Sequence, residues 1–340
     1  AFFQGCQVLV LCSPAAFSRG LQKMSKHSRH QGRSIAEDIF GREDRRIMRQ
    51  TNAQAADRLL RRRAKGISVD YLSGQFLTDL QTTFGRSITR NTRFTDLEKR
   101  LWGSLGARHS DCKDFLGHAT LKDLDGHPGV SLRDALEFSR RDLVGAATHF
   151  VSWTWRYTIG DVVDALTAMC REQMLDPKTT FVWLCFFCNN QRQWLLEARS
   201  QDGVEVFGKV LKHIGKMVSI LDSVKDAVYF TRIWVVYEVF VALVQCEIPV
   251  CIAVPPHVRQ QLETMNISEL RSCINVDVML ATATQASDEE AIKKQVKLFG
   301  IGTVNTEVKK LFVALITDVL LDSPPSVRSR GVVASWCSIC

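Results

Sequence analysis

From residue 148 onward the chain alternates short apolar runs with longer segments of helical periodicity, and this restricts its fold more than any other feature. THFVSWTW (148–155), TTFVWLCFF (179–187), KMVSILD (216–222), IPVCIAV (248–254) and INVDVMLATA (274–283) have the length and the β-branched and aromatic content of strands. Between and after them the pattern is helical. GDVVDALTAMCREQML (160–175) carries Val162, Val163, Leu166, Met169 and Cys170 at helical spacing, and VEVFGKVLKHI (204–214) follows. Further helices are expected from about Ile233 to Cys246, near 257–272, and in DEEAIKKQVKLFG and TEVKKLFVALITDVLL. Each expected strand is almost continuously hydrophobic, as strands covered on both faces are. The expected fold class is therefore α/β, a five-stranded parallel flavodoxin-like sheet with helices on both faces. Right-handed crossovers leave few topologies, among them the order 2-1-3-4-5, in which ligands bind beyond the carboxyl ends of strands 1 and 3.

The net charge of +8 is unevenly placed: residues 1–100 hold 19 Lys and Arg against 9 Asp and Glu, the remaining 240 hold 25 against 27. Within the basic part, Ile35–Lys65 reads as a long polar helix ending in RLLRRRAKG, with Gly66 as its stop and only Ile35, Ile39, Ile47, Leu59 and Leu60 as apolar positions. Such a helix is either a solvated one or a binder of nucleic acid or an anionic membrane surface. The division expected is a basic helical or partly disordered segment (1–66), a helical region of unknown role (67–146), the α/β domain (147–322) and a flexible tail (323–340). In the second of these, RFTDLEKRLWGSL has Phe94, Leu97 and Leu101 at helical spacing, Ser131 with Asp134 three residues on resembles a capping box, and HATLKDLDGHPGVS between them reads as a loop.

Hydrophobic content of 46% and charged content of 24% are those of a folded globular chain. No run of ~18 uncharged apolar residues is present, so a membrane span is not expected. The opening AFFQGCQVLVLCSPAAF has a short apolar stretch before small residues but lacks the basic leader of a secretory signal. Eleven cysteines, an odd number scattered along the chain, are the usage of a reducing compartment, and the expected location is the cytoplasm. Cys185/Cys188 and Cys337/Cys340 have zinc-like spacing. Within FVWLCFFC, however, the first pair falls on opposite faces of an expected strand, so buried thiols are the reading there; a redox role for the second pair stays open. His109, His118 and His127 are read as surface residues, no metal site is expected, and no cofactor motif of the Walker or Gly-x-Gly-x-x-Gly kind follows the first strand.

The loops that this topology sends to the ligand crevice are SWTWRYTIGD and LDSVKDAVYFTRIW. They offer Ser152, Trp153, Trp155, Arg156 and Asp161 from one side and Asp222, Tyr229, Arg232 and Trp234 from the other. Glu238 lies one helical turn after Trp234 on the same face, in the first half of its helix, where the helix dipole favours a carboxylate. Flat rings beside a carboxylate suit a ligand with a heteroaromatic ring and a developing positive charge.

The order of these elements resembles the Toll/interleukin-1 receptor (TIR) domain family over roughly residues 147–320. THFVSWTW is similar to the family's first strand, RIWVVYEVF to its Trp-Cys-x-x-Glu helix motif with Val235 in the Cys position, and IPVCIAVPP to the strand after it. The resemblance implies that Glu238 is catalytic in cleaving the nicotinamide–ribose bond of NAD, which is a substrate and not a cofactor, with Ser152, Trp153 and Trp155 lining the nucleotide pocket. It also implies homotypic self-association. The segment CNNQRQWLLEARSQDG, where the family has its BB loop, departs from the pattern. Three readings follow: an NAD glycohydrolase, a TIR-like signalling module that works by protein contacts without activity, and a basic N-terminal region that binds nucleic acid or anionic membrane.

Overall fold

The computed structural model describes residues 53–103, 112–123, 129–191, 200–225 and 227–320, with only the backbone for 200–205 and 320. The chain divides into units 1–59 and 60–340, and the second carries the sheet and everything that follows. Most of the basic helix, His109, His127, the middle of the BB-loop segment, the tail and the Cys337/Cys340 pair lie outside the described residues.

In chain order the elements are β1 (Lys65–Ser68), α1 (Val69–Ser73), α2 (Phe76–Phe84), α3 (Phe94–Trp102), α4 (Leu132–Ser139), β2 (Val144–Ala146), β3 (His149–Ser152), α5 (Ile159–Glu172), β4 (Phe181–Trp183), α6 (Cys185–Cys188), α7 (Ser200–Ile214), β5 (Met217–Ile220), α8 (Ile233–Phe240), β6 (Val250–Ala253), α9 (Pro256–Glu263), α10 (Ile267–Cys273), α11 (Ala286–Phe299) and α12 (Ile301–Leu320). The strands form one sheet in the order β2-β1-β4-β3-β5-β6. β4, β3, β5 and β6 are parallel, which is the expected 2-1-3-4 part of the doubly wound order. The all-parallel, five-stranded expectation is corrected in two places.

The first correction is at one edge, where β1 pairs antiparallel with β4 and β2 antiparallel with β1, so the sheet is mixed. Both strands come from the part of the chain assigned to the basic segment and the helical region, and they extend the same sheet across the boundary drawn at residue 146. Two glycines make this edge. A Cβ on Gly66 would stand 2.6 Å from the carbonyl oxygen of Val182, and one on Gly145 would stand 2.5 Å from the ring of Phe181. Only backbone fits at either contact.

The second correction is the expected fifth strand at 274–283. Ile274, Val276 and Val278, part of the apolar run that suggested a strand, are buried. Their backbone is irregular over 274–277 and turns at 278–280, where the Asp277 carboxylate accepts from Met279 N at 2.9 Å and Asn305 Oδ1 accepts from Val278 N at 3.0 Å. All that remains of strand pairing is an isolated parallel bridge between Arg232 and Thr282.

Helix starts follow their side chains. The Ser131 hydroxyl accepts from Asp134 N at 3.0 Å at the head of α4, and Thr158 and Asp161 form a reciprocal capping box at the head of α5. The strand read over 179–187 ends at Trp183, and the turn α6 takes Phe186 and Phe187 into an aromatic cluster: Phe94–Phe186 at 5.0 Å and Phe76–Phe187 at 5.1 Å between centroids. That cluster ties the helices of the first part to the sheet. It also pins the loop after β3, where Phe94 N donates to Tyr157 O at 3.1 Å and Thr95 N to Trp155 O at 2.9 Å. The helix expected from Ile233 to Cys246 is α-helical only to Phe240 and continues as a π-helical turn over Val241–Gln245.

No helix among the described residues is long and apolar enough to cross a membrane, and among them no group of three or more His, Cys, Asp and Glu side chains is placed to hold a metal ion.

Candidate active site

The sheet order reverses about β3: one crossover leads to β4 on its left, the next to β5 on its right. The carboxyl ends of β3 and β5 therefore bound the crevice that doubly wound sheets use for ligands. Ser152, the last residue of β3, and Ser219 of β5 are register partners there, and both are wholly buried.

α8 lies against this end of β3 and is apolar on nearly every face: Ile233, Val235, Val236, Val239 and Phe240 are all buried. Glu238 is buried among them, 8% exposed. The Ser152 hydroxyl donates to its Oε2 at 2.6 Å, and the Tyr229 phenol donates to Ser152 Oγ at 2.8 Å. Tyr229 sits on the 3₁₀ turn Val228–Thr231 that delivers the chain into α8, and its ring packs on Phe230 and Phe312. Among the described residues no cationic side chain pairs with Glu238. Burial pushes its carboxyl up to about 8, a rise that the Ser152 bond opposes. Burial raises the Tyr229 phenol as well.

The other expected site residues divide into three groups. Cys185 lies within electrostatic reach of the carboxyl, and Trp155 connects to it only through Cys185: the half-buried Trp155 donates its indole N–H to Cys185 Sγ at 3.4 Å, and burial together with the Glu238 charge pushes that thiol up to about 12. Cys188 is pushed up to about 12 by burial too, and both cysteines lie on the helical turn α6 and not on two faces of a strand.

Trp153 turns the other way. It is 4% exposed and packs edge-on against Phe94 at 4.6 Å, on the opposite side from its neighbour Ser152, as residues that leave a strand alternate. Asp161 is engaged in the α5 capping box, and the exposed Arg156 reaches no partner by its side chain among the hydrogen bonds of the described residues. Asp222 is half-buried beyond β5, its carboxyl raised by burial, with Tyr157, Asp161 and His257 around it.

The third group binds α8 to α11. Trp234 donates its indole N–H to Asp288 Oδ2 at 3.0 Å, and Arg232 donates to Thr284 Oγ1 at 2.7 Å. Burial, then the like charge of Arg156, lowers the Arg232 guanidinium. Trp234 and Glu238 share one side of the helix as expected, but one reaches outward to α11 and the other inward to β3.

The structure thus brings together Ser152, Tyr229 and Glu238, and adds Cys185, which the sequence offered only as one half of a Cys-x-x-Cys pair; Trp155 is bonded to Cys185. Trp153, Asp161, Arg232 and Trp234 serve contacts of the fold around them. The open depression lined by Ala286, Glu289, Glu290, Lys293, Lys294 and Lys297 contains none of these residues. Compared with protein-family models, curated proteins and solved structures, the chain matches none of them.

Proposed function

We propose that the α/β unit is a TIR-like domain that cleaves the nicotinamide–ribose bond of NAD, with Glu238 as its catalytic carboxyl. The observation that supports this most is a buried carboxyl with no cationic partner among the described residues, at the end of the sheet where the strand order reverses. Burying such a group costs stability, and a Gln or Met at the same place would fill the space without that cost. A strongly perturbed carboxyl at a switch point is the signature of a working group.

The chemistry fits the surroundings. Breaking the N-glycosidic bond releases neutral nicotinamide, places positive charge on the ribose and ends with water on the anomeric carbon. A carboxylate against that charge lowers the barrier most where water and other dipoles are excluded. With its pKa near 8, Glu238 is mostly protonated in the free protein at neutral pH, and a cationic nicotinamide ring beside it draws it towards the charged form. Oε2 is held by Ser152, so Oε1 is the oxygen that meets the substrate.

A second reading, a signalling module without activity that acts through homotypic contacts, is favoured by one observation. Glu238 and Trp153 are both nearly closed to solvent and do not share an open cleft.

An NAD-consumption assay on the full chain separates the two. The first reading expects turnover in the wild type and its loss in Glu238→Gln, in a protein at least as stable as the wild type at pH 7. Turnover equal in both proteins removes Glu238 from the reaction, and no turnover in a folded wild type leaves the signalling module.

A further inference from the structure

The buried hydroxyls beside Glu238 are arranged in a line with one sense. Tyr229 is fully buried and its single proton lies on Ser152 Oγ at 2.8 Å. With its acceptor side occupied in this way, Ser152 has its own single proton for Glu238 Oε2, at 2.6 Å. Both donors therefore point at the carboxylate, and hydrogen bonds to a charged form favour that form. Neither hydroxyl has a proton left to donate to a substrate while it serves this line, although both residues stood among the expected substrate contacts.

We infer that Tyr229 and Ser152 are positioning residues: a directed hydroxyl relay that fixes Oε2 of Glu238 and sets the pH range in which the carboxyl is charged. The relevance of this relay to turnover rests on the proposed NAD reaction; its effect on Glu238 does not. The remaining titratable groups that face the line are few. Cys185 of α6 lies near the carboxyl with its thiol neutral, and Tyr157, coupled to Asp222, faces Tyr229 from the loop after β3. No Lys, Arg or His among the described residues is bonded into it. Desolvation pulls the carboxyl towards its neutral form, and the relay opposes that pull.

The test reads Glu238 itself. In full-length protein labelled at the glutamate carboxyl carbon, the Glu238 signal is identified by its loss in Glu238→Gln and followed by NMR across pH. The wild-type midpoint is expected near 8. Ser152→Ala raises it by about one unit, Tyr229→Phe by about half a unit, and Ser152→Thr, which keeps the hydroxyl, returns it to the wild-type value. Tyr229→Phe keeps the buried ring, so it reads the relay even if Ser152→Ala loosens the strand end. Midpoints that stay at the wild-type value in folded Tyr229→Phe and Ser152→Ala overturn the inference. NAD consumption measured on the same samples keeps the two claims apart. Shifted midpoints without NAD turnover support the relay and sink the reaction; turnover with unshifted midpoints does the reverse.

Discussion

Two carboxyl networks in this molecule, one half-buried and one buried, each contain a tyrosine, and they behave in opposite ways. Asp79, on α2, accepts from the Tyr71 phenol at 2.9 Å, from Gln75 at 3.1 Å and from the Arg140 guanidinium, which also lies over the Tyr71 ring at 5.1 Å. Burial works to raise this carboxyl, but the bonds from Arg140, Gln75 and Tyr71 prevail and hold it below its ordinary value. Glu238 accepts from one hydroxyl, has no cation beside it among the described residues, and is pushed up to about 8. The first network is how a fold neutralises a carboxylate that it uses to join α1, α2 and the end of α4. The second leaves its carboxyl unneutralised and placed where the strand order reverses. On the proposed reading the first carboxyl is a structural group and the second a working one.

The contrast can be broken by substitution. The largest effect is expected at Glu238→Gln: NAD turnover falls about a thousandfold or more, while the unfolding temperature at pH 7 rises, because the wild type keeps neutral in the fold a carboxyl that ionises on unfolding. Asp79→Asn should do the reverse. It removes the charged half of the bond to Arg140 and destabilises by about 2 kcal/mol in urea unfolding, with turnover per folded molecule unchanged. Its acid limb sharpens the comparison. The depressed Asp79 carboxyl adds stability that is present above pH 3.8 and lost as pH falls through its lower folded value, and Asp79→Asn flattens that loss. The smallest effect is expected at Trp234→Phe, which deprives the buried Asp288 carboxyl of its indole donor and costs about 1 kcal/mol by the same measurement. A large loss of turnover at Trp234→Phe, with stability kept, would move that ring from the frame of the fold into the site.

The parallel strands were legible because burial on both faces writes itself into composition: Phe150, Val151, Val182, Met217 and Val218 are all buried. Cap residues were legible for a similar local reason, as at Ser131 and Asp134. β1 and β2 were not, since four and three residues are too few for a period, and their pairing depends on Gly66 and Gly145 meeting the backbone of Val182 and the ring of Phe181. The segment 274–283 shows the opposite failure. Its apolar residues were read correctly as buried, but Asp277 and Asn305 took backbone bonds that a strand would have made. At the site, the Trp-x-x-x-Glu spacing pointed to Glu238. That Ser152 would face it while Trp153 turned away into the Phe94 cluster depends on which face of β3 meets α8, a tertiary fact with no local signal.

The central claim, that Glu238 is held in the fold as a carboxyl displaced far above its unfolded value, is tested most directly by the unfolding free energy of wild type and Glu238→Gln from pH 4 to 9. A raised carboxyl stabilises fully below its unfolded pKa of 4.5, and that contribution is lost as pH rises through about 8. The account therefore predicts that Glu238→Gln gains on the wild type steadily between pH 4.5 and 8, by up to about 5 kcal/mol, and then levels off. A difference that stays flat across that range would contradict it.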